Sequence, residues 1–263
     1  MLSTLKKLKR VVVKVGTSSI THENGIINLA RIDELACELA NIKNNNIDVA
    51  LVSSAAIAAG AKRLNLPSRP RDIIGKQAAS SVGQVALMNT YNRAFNFFNY
   101  QTAQILLTKQ IEVDKQMRDN AYNTLNELFK MNVIPIVNEN DTISTFEIEF
   151  GDNDTLSAVV ARLINADLLI LLSDIDGLYN DDPRINPKAE LISEVYEIDD
   201  KLKSMAKDSK SSVGTGGMST KINAAQMCME KGIDVVVANS KDFKVIRRII
   251  GGERVGTIFK TRA

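Results

Sequence analysis

Apolar residues fall along this chain in two alternating rhythms. Short β-branched or leucine-rich runs occupy positions 9–15, 47–53, 101–107, 132–137, 168–172, 233–238 and 255–259, and runs of that kind predict buried strands. Between them the apolar residues recur every three or four positions. Such segments cover 29–44 (Leu29, Ile32, Leu35, Ala36, Leu39, Ile42), 75–98, 115–131, 151–165, a stretch through Ile222, Ala225 and Met229 that stops at Gly232, and 243–250. That spacing predicts helices with one buried face. Positions 145–150 alternate Phe146, Ile148 and Phe150, a half-exposed strand suited to one arm of a hairpin. Repeated strand–helix–strand order predicts an α/β fold, with a mainly parallel sheet of about eight strands between helical layers. The apolar face of the helix at 75–98 suits either burial or an interface. No linker and no internal repeat divides the chain.

The polar residues that interrupt this pattern gather where strands end. The first strand carries Lys14 one residue before its end and runs into Gly16-Thr17-Ser18-Ser19; that lysine either reaches out to solvent or faces a ligand. The strand at 47–53 turns through Ser53-Ser54-Ala55-Ala56 into a small-residue helix reaching Gly60. This layout fits an anion site or close helix–sheet packing, and Ser54 also suits an N-cap. Asn138-Glu139-Asn140-Asp141 follows the strand at 132–137, Gly151-Asp152-Asn153-Asp154 opens the next helix, and Ser173-Asp174 closes the strand at 168–172. The run Asp174-Ile175-Asp176-Gly177 is no calcium loop, because its glycine falls in the fourth position instead of the sixth. Ligands of open α/β sheets sit beyond the carboxyl ends of the strands, where all these clusters lie.

The densest cluster is Val213-Gly214-Thr215-Gly216-Gly217-Met218-Ser219-Thr220-Lys221. A glycine-rich loop entering a helix presents unpaired backbone N–H groups and a partial positive charge to an anion. Lys221 adds a full charge in the first turn. A surface loop with Ser219 or Thr220 as N-cap would use the same residue types. The spacing matches neither G-x-x-x-x-G-K-[ST] nor G-x-G-x-x-G, which speaks against a Walker-type NTPase and a Rossmann dehydrogenase.

Composition narrows the chemistry further. With 263 residues, 44% of them hydrophobic, the chain can bury one large domain or two lobes. Its 33 basic and 31 acidic residues interleave to a net charge of +2, leaving no basic face for nucleic acid. No stretch is long and apolar enough for a membrane span. The basic start, Leu5-Lys6-Lys7-Leu8-Lys9-Arg10, is followed by only three valines before Lys14, too few for a signal peptide. Cys37 and Cys228 stand apart in helical patterns, as expected of reduced core thiols in a cytoplasmic protein. The single histidine, His22, lies in a polar turn and cannot supply a histidine-based triad or a multi-histidine zinc site. Two lysines on distant segments, a glycine loop and an acidic cluster remain. Such a set suits phosphoryl transfer to a carboxylate. A carboxylate with a pKa of about 4.3 is already ionised at neutral pH and needs no general base. The difficulty is bringing an anion to a polyphosphate, and cations, N–H groups and magnesium meet it.

The segments Val13-Lys14-Val15-Gly16-Thr17-Ser18, Ser53 to Gly60, Val137-Asn138-Glu139-Asn140-Asp141, Gly151-Asp152-Asn153-Asp154 and Gly214 to Lys221 resemble, in order, the motifs of the amino acid kinase family. Within it they are similar to the branch that phosphorylates the γ-carboxylate of L-glutamate. Leu178-Tyr179, Asp182-Pro183-Arg184 and Gly256-Thr257 fit as well, so the resemblance spans nearly the whole chain. It implies a three-layer α/β/α sandwich in one domain, with a substrate lobe in the N-terminal part and a nucleotide lobe in the C-terminal part. The implied reaction uses ATP and Mg2+ to make L-glutamyl 5-phosphate, the first step toward proline. By resemblance, Lys14 and Lys221 neutralise phosphoryl oxygens and Asp154 holds their two ammonium groups. Ser54, Asp141 and Asn153 hold glutamate, Asp141 taking its α-ammonium. Lys14, Ser173, Asp174, Thr215, Gly216, Gly217, Met218, Ser219, Thr220 and Lys221 line ATP.

Helix capping is the other use open to Asp152 and Asp154. The resemblance further implies a dimer or tetramer, feedback inhibition by proline, and a glutamyl phosphate reductase as metabolic partner. Rival readings are a kinase of N-acetylglutamate or aspartate, and a catalytically silent amino-acid sensor; retention of Lys14, Asp154 and Lys221 together speaks against the sensor. Two departures from the family stand out. Many members carry a C-terminal PUA domain associated with RNA binding; this chain is expected to lack one, and no nucleic-acid partner is carried over. Where the family has Ser-Gly-Ala, this chain has Ser54-Ala55-Ala56. At a positive φ, alanine 55 would cost about 1 kcal/mol and displace Ser54, and its methyl would crowd the substrate.

Overall fold

The computed structural model describes residues 8–144, 153–181, 183, 185–207 and 217–261. Eight strands lie among them: β1 (Arg10–Val15), β2 (Asp48–Ser53), β3 (Thr102–Leu107), β4 (Ile134–Glu139), β5 (Leu168–Ser173), β6 (Glu194–Val195), β7 (Asp234–Asn239) and β8 (Thr257–Phe259). They form one sheet in the order β3-β4-β2-β1-β5-β7-β8-β6. Every pairing is parallel except β7 with β8. The helices are α1 (Thr17–Ile20), α2 (Leu29–Asn44), α3 (Ala56–Arg63), α4 (Ile73–Asn96), α5 (Lys115–Lys130), α6 (Asn153–Leu163), α7 (Asp200–Lys207), α8 (Met218–Met229) and α9 (Val245–Ile250). Most lie within two residues of where the apolar rhythm puts them, and α2 matches at both ends. β6 is too short to carry a period, and α7 offers little apolar signal; neither was expected. The strand expected at 145–150 and the cluster residues Asp152, Thr215 and Gly216 lie outside the described residues.

Strand alternation sorts the core into two layers. Val11, Val13 and Val15 of β1 pack with α2, α4 and α9, while Val12 faces the layer containing Ala158 and Ala161 of α6 and Ile222 and Ala225 of α8. A strand turns successive side chains to opposite faces, so Lys14 shares the Val12 side. Register sets Lys14 between Val52 of β2 and Leu171 of β5, both of that same layer. The lysine therefore points toward α6 and α8, not toward α2 and α4. Cys228 joins this layer, where burial pushes its thiol up to about 12; Cys37 is only half-buried, short of the expected core position.

The helices stop in a common way. Asn46, Asn65, Asn99, Asn132 and Asn165 each follow a helix at positive φ, and Gly232 does the same after α8. In each case the next N–H reaches back to the helix, as in Ala166 N to Ala161 O at 2.9 Å and Ile233 N to Cys228 O at 3.1 Å. This is the Schellman arrangement, which satisfies carbonyls that the helix end leaves open. Asparagine tolerates the left-handed region better than other side-chain-bearing residues.

α3 and α4 pack backbone to backbone. A Cβ on Gly60 would lie 1.7 Å from the Ala79 carbonyl oxygen, and one on Gly83 would lie 1.7 Å from that of Ala56. Only glycine admits this approach. The contact seats the start of α3 against the middle of α4 and fixes the turn that leads out of β2.

That turn holds the exception. Among the described residues with positive φ, Ala55 alone is neither glycine nor asparagine, at φ 88° and ψ 0°. The strain foreseen for position 55 is present, but Ser54 is not displaced from the site described below. The Ala55 methyl packs into the α2–α4 layer. Replacing Ala55 by glycine relieves about 1 kcal/mol of left-handed strain, against losing a buried methyl and adding unfolded-chain entropy. The expected outcome in chemical denaturation is an Ala55→Gly variant within about 0.5 kcal/mol of the parent. Ala59→Gly, buried in α3 at ordinary helical geometry, should lose at least about 1 kcal/mol more. Equal losses would show that the Ala55 turn is unstrained.

Candidate active site

The carboxylate of Asp154, fully buried, is gripped from both sides. Lys14 Nζ lies 2.6 Å from its Oδ1 and Lys221 Nζ 3.1 Å from its Oδ2. These three residues come from the end of β1, the first turn of α6 and the first turn of α8, and the layer shared by Val12, α6 and α8 is what brings them together. Burial alone would raise the carboxyl pKa, but the two ammonium groups more than reverse this and hold it well below the usual carboxylate range. Asp154 is thus an anion across the working pH range and no proton acceptor. Its backbone carbonyl accepts from Ser157 Oγ at 2.6 Å, and the Thr220 hydroxyl sits 2.9 Å from Oδ2 and 2.8 Å from the Gly217 carbonyl. Gly217 is the N-cap of α8, with no side chain capping it. Ser219 and Thr220 lie inside the helix, so neither is the N-cap that a plain surface loop would use.

Asn153, one residue earlier, ties this charge cluster to the end of β2. Its Nδ2 donates to Ser54 Oγ at 2.8 Å, to Asn138 Oδ1 at 3.0 Å, and more distantly to the Ser53 carbonyl at 3.4 Å. Ser54 therefore does not cap α3; Ala55 holds the N-cap position without a side-chain bond. Asp141, just past β4, is buried and accepts from Ser80 Oγ of α4. Burial raises its pKa, opposed by that hydrogen bond and by the nearby Arg69 guanidinium. Of the residues expected to hold substrate, Ser54 and Asn153 are thus directly bonded, and Asp141 stands on the same side with one carboxylate oxygen unpartnered among the described residues.

A cleft of about 750 Å³ runs past this cluster, lined among others by Lys14, Ser54, Asn153, Ser173, Asp174 and Lys221. That volume suits a small-molecule site. Ser173 and Asp174 are joined by a 3.1 Å hydrogen bond at the end of β5. The Met218 side chain packs into the α6–α8 core layer, so only its backbone is left to meet a nucleotide. Asp176, rejected as part of a calcium loop, accepts instead from Asn239 Nδ2 at 2.8 Å and Tyr179 Oη at 3.1 Å.

Several residues around the cleft were given no place in it from sequence. The cleft wall includes Thr21 to Gly25, with His22 among them, and Lys62 and Arg69. On α4, Ser80, Gln84 and Tyr91 face inward, and Tyr91 Oη lies 2.7 Å from Ser53 Oγ in the core. The available signal was their spacing, polar groups recurring at helical intervals on an otherwise apolar face. Among the described residues no group of three or more His, Cys, Asp or Glu is placed to hold a metal ion, and none of the helices is long and apolar enough to cross a membrane.

Known proteins carry the same arrangement of sequence and fold. The family model for the amino acid kinase family matches residues 9–239. A glutamate 5-kinase of Clostridium perfringens is 46% identical over 263 residues, covering 98% of both chains. One of Carboxydothermus hydrogenoformans is 48% identical over 260 residues, covering 98% of this chain and 70% of the relative. Among solved structures, carbamate kinase from Giardia lamblia bound to AMP-PNP superposes with a TM-score of 0.68 at 14% identity, covering the whole of both chains; at that identity the likeness speaks for the fold alone. The sandwich, the ordered motifs and the matched span together establish that this chain belongs to the amino acid kinase family.

Proposed function

We propose that this chain transfers the γ-phosphoryl group of ATP to the γ-carboxylate of L-glutamate, giving ADP and L-glutamyl 5-phosphate. The observation that carries the reading is the pair of ammonium groups held on one buried carboxylate beside the Ser54–Asn153 pair. Relatives at 46% and 48% identity named glutamate 5-kinase support the choice of substrate. A carboxylate oxygen of glutamate attacks the γ-phosphorus while the bond to the β,γ-bridging oxygen breaks, and that electron pair leaves on ADP. Lys14 and Lys221 face the phosphoryl oxygens, on which charge is spread in such transition states. Asp154 is a positioning residue: it keeps the two cations together and is too strongly ionised to act as a base. No base is required, because the attacking carboxylate is already ionised. Magnesium would come with the nucleotide and add positive charge at its phosphates, while Asp154 stays engaged by the two lysines.

In this reading the β1, β2 and β4 ends form the substrate lobe. The β5 end and the start of α8 form the nucleotide lobe, with Ser173, Asp174 and Gly217 to Lys221 along ATP. Ser54, Asn153 and Asp141 hold glutamate. A buried carboxylate with an unpartnered oxygen suits a substrate with a free ammonium, which disfavours N-acetylglutamate. The same proposal includes proline as feedback inhibitor, since it shares the α-ammonium and α-carboxylate of glutamate. It also includes a glutamyl phosphate reductase to consume an acyl phosphate that water would hydrolyse, a dimer or tetramer, and a cytoplasmic location.

The direct test is ADP release with glutamate, aspartate and N-acetylglutamate, trapping the acyl phosphate with hydroxylamine. Glutamate alone should give a hydroxamate at substantial rate; equal or greater rates with another acid would overturn the assignment. Lys221→Ala should lower kcat well over tenfold with little change in glutamate binding, because its charge is needed mainly where phosphoryl oxygens gain charge. A rise in the glutamate KM alone would remove Lys221 from that role. Asp141→Asn should weaken glutamate far more than ATP; equal weakening of both would point to a folding role.

A further inference from the structure

Three buried side chains near the carboxyl ends of β2 and β4 keep polar atoms without a hydrogen-bond partner among the described residues: Gln84 Nε2, Asp141 Oδ1 and Asn153 Oδ1. Their residues are 8%, 4% and 2% exposed. Buried polar groups are almost always paired, and one left unpaired costs the full desolvation of that group. Three together, in a site whose other hydrogen bonds are made, mark a place completed by a ligand.

The three residues border the same two strand ends. Ser80 Oγ donates to Asp141, and Gln84 lies one helical turn further along α4 on the same inward face. Helical side chains lean toward the N-terminus of their helix, which directs Gln84 toward the turn of α4 from which Ser80 bonds Asp141. Farther along α4, Tyr91 meets Ser53 at the end of β2, so the stripe Ser80–Gln84–Tyr91 spans from the Asp141 loop to the Ser54 turn. Asn153 is bound to Asn138, three residues before Asp141. Its amide nitrogen faces the Ser53 carbonyl and Asn138 Oδ1, which fixes its Oδ1 as the outward acceptor.

The chemistry of the set is specific: two acceptors, one of them charged, and one neutral donor. An α-amino acid presents the complement, an ammonium with three N–H groups and a carboxylate on the same carbon. We propose that Gln84 is a specificity residue of this site, donating its side-chain amide to the α-carboxylate of the amino-acid substrate, while Asp141 and Asn153 accept from its α-ammonium. This rests on the glutamate reading and adds to it a recognition group for the end of the substrate that does not react. Arg69, on the cleft wall and near Asp141, adds positive charge on the same side.

The test compares the parent with Gln84→Met, similar in length and helix preference but without the donor. Steady-state kinetics would be run with glutamate and ATP, and with 4-aminobutyrate, which lacks only the α-carboxylate, as a competitive inhibitor against glutamate. Loss of a hydrogen bond to a charged group should raise the glutamate KM by about tenfold or more. The KM for ATP and the inhibition constant of 4-aminobutyrate should each stay within about twofold of the parent. A glutamate KM within that same margin would overturn the inference. So would parallel weakening of glutamate and 4-aminobutyrate, because it would mean that Gln84 merely supports packing. Should Gln84→Met fail to fold, the isosteric Gln84→Glu, which places a carboxylate against the substrate's own, is expected to give the same selective loss. The reading of the parent is separate: no glutamate-dependent turnover there would overturn the proposed reaction itself.

Discussion

One buried carboxylate holding two buried ammonium groups is the constraint on which the rest of the site depends. Three charges in a low-dielectric interior are costly to desolvate, and removing the middle one leaves two cations uncompensated; breaking buried pairs of this kind costs roughly 3–5 kcal/mol. The fold meets that cost through its layering. Lys14 lies on the face of β1 that looks toward α6 and α8, and the same face packs Val12, Ala161 and Ile222. The helices that fill the core therefore also carry Asp154 and Lys221 to the strand end. An extra residue in β1 before Lys14 would turn the lysine to the other layer and dissolve the cluster.

The substrate side depends on a different kind of contact, with little charge in it. The glycine crossing of α3 and α4 brings the two backbones together. That crossing carries the Ala55 turn, and the turn presents Ser54 to Asn153. Strain is retained in this turn while every other left-handed residue described is glycine or asparagine. Backbone strain of this sort is usual at functional sites that the surrounding structure over-determines. Asn153 and Asp154 are neighbours at the start of α6, so a single helix terminus couples the strained turn to the charged cluster. In the proposed reaction this coupling would hold the acceptor carboxylate and the phosphoryl group in one fixed relation, which is most of what phosphoryl transfer to an ionised acceptor requires.

Much of this was legible in the sequence because the signals were local. β-branched runs and helical spacing placed the strands and most helices, and strand ends placed the polar clusters. The asparagines that follow five of the helices proved to be left-handed caps, a role their residue type allows. What stayed hidden was set by packing at a distance. The direction of Lys14 was open until the layer on each face of β1 was known. Ser80, Gln84 and Tyr91 went unmarked, since nothing in their spacing names the partners at the strand ends. Met218 sits in a glycine-rich motif yet turns into the core, a choice fixed by the α6–α8 contact and invisible in the motif. Ala55 was visible as a departure, but only its φ decided that the strain is real, and only the packing showed its methyl in the α2–α4 layer.

The central claim is that Lys14, Asp154 and Lys221 act as one unit, not as three separate contributors. A double-mutant cycle on kcat with Asp154→Asn and Lys221→Met measures this most directly. If Asp154 works by holding Lys221 in place, each single variant loses most of the rate, and the double variant is slower than the worse single by no more than about threefold. Losses that multiply, so that the double variant is slower by the product of the two single factors, would mean that the residues act independently and would contradict the account.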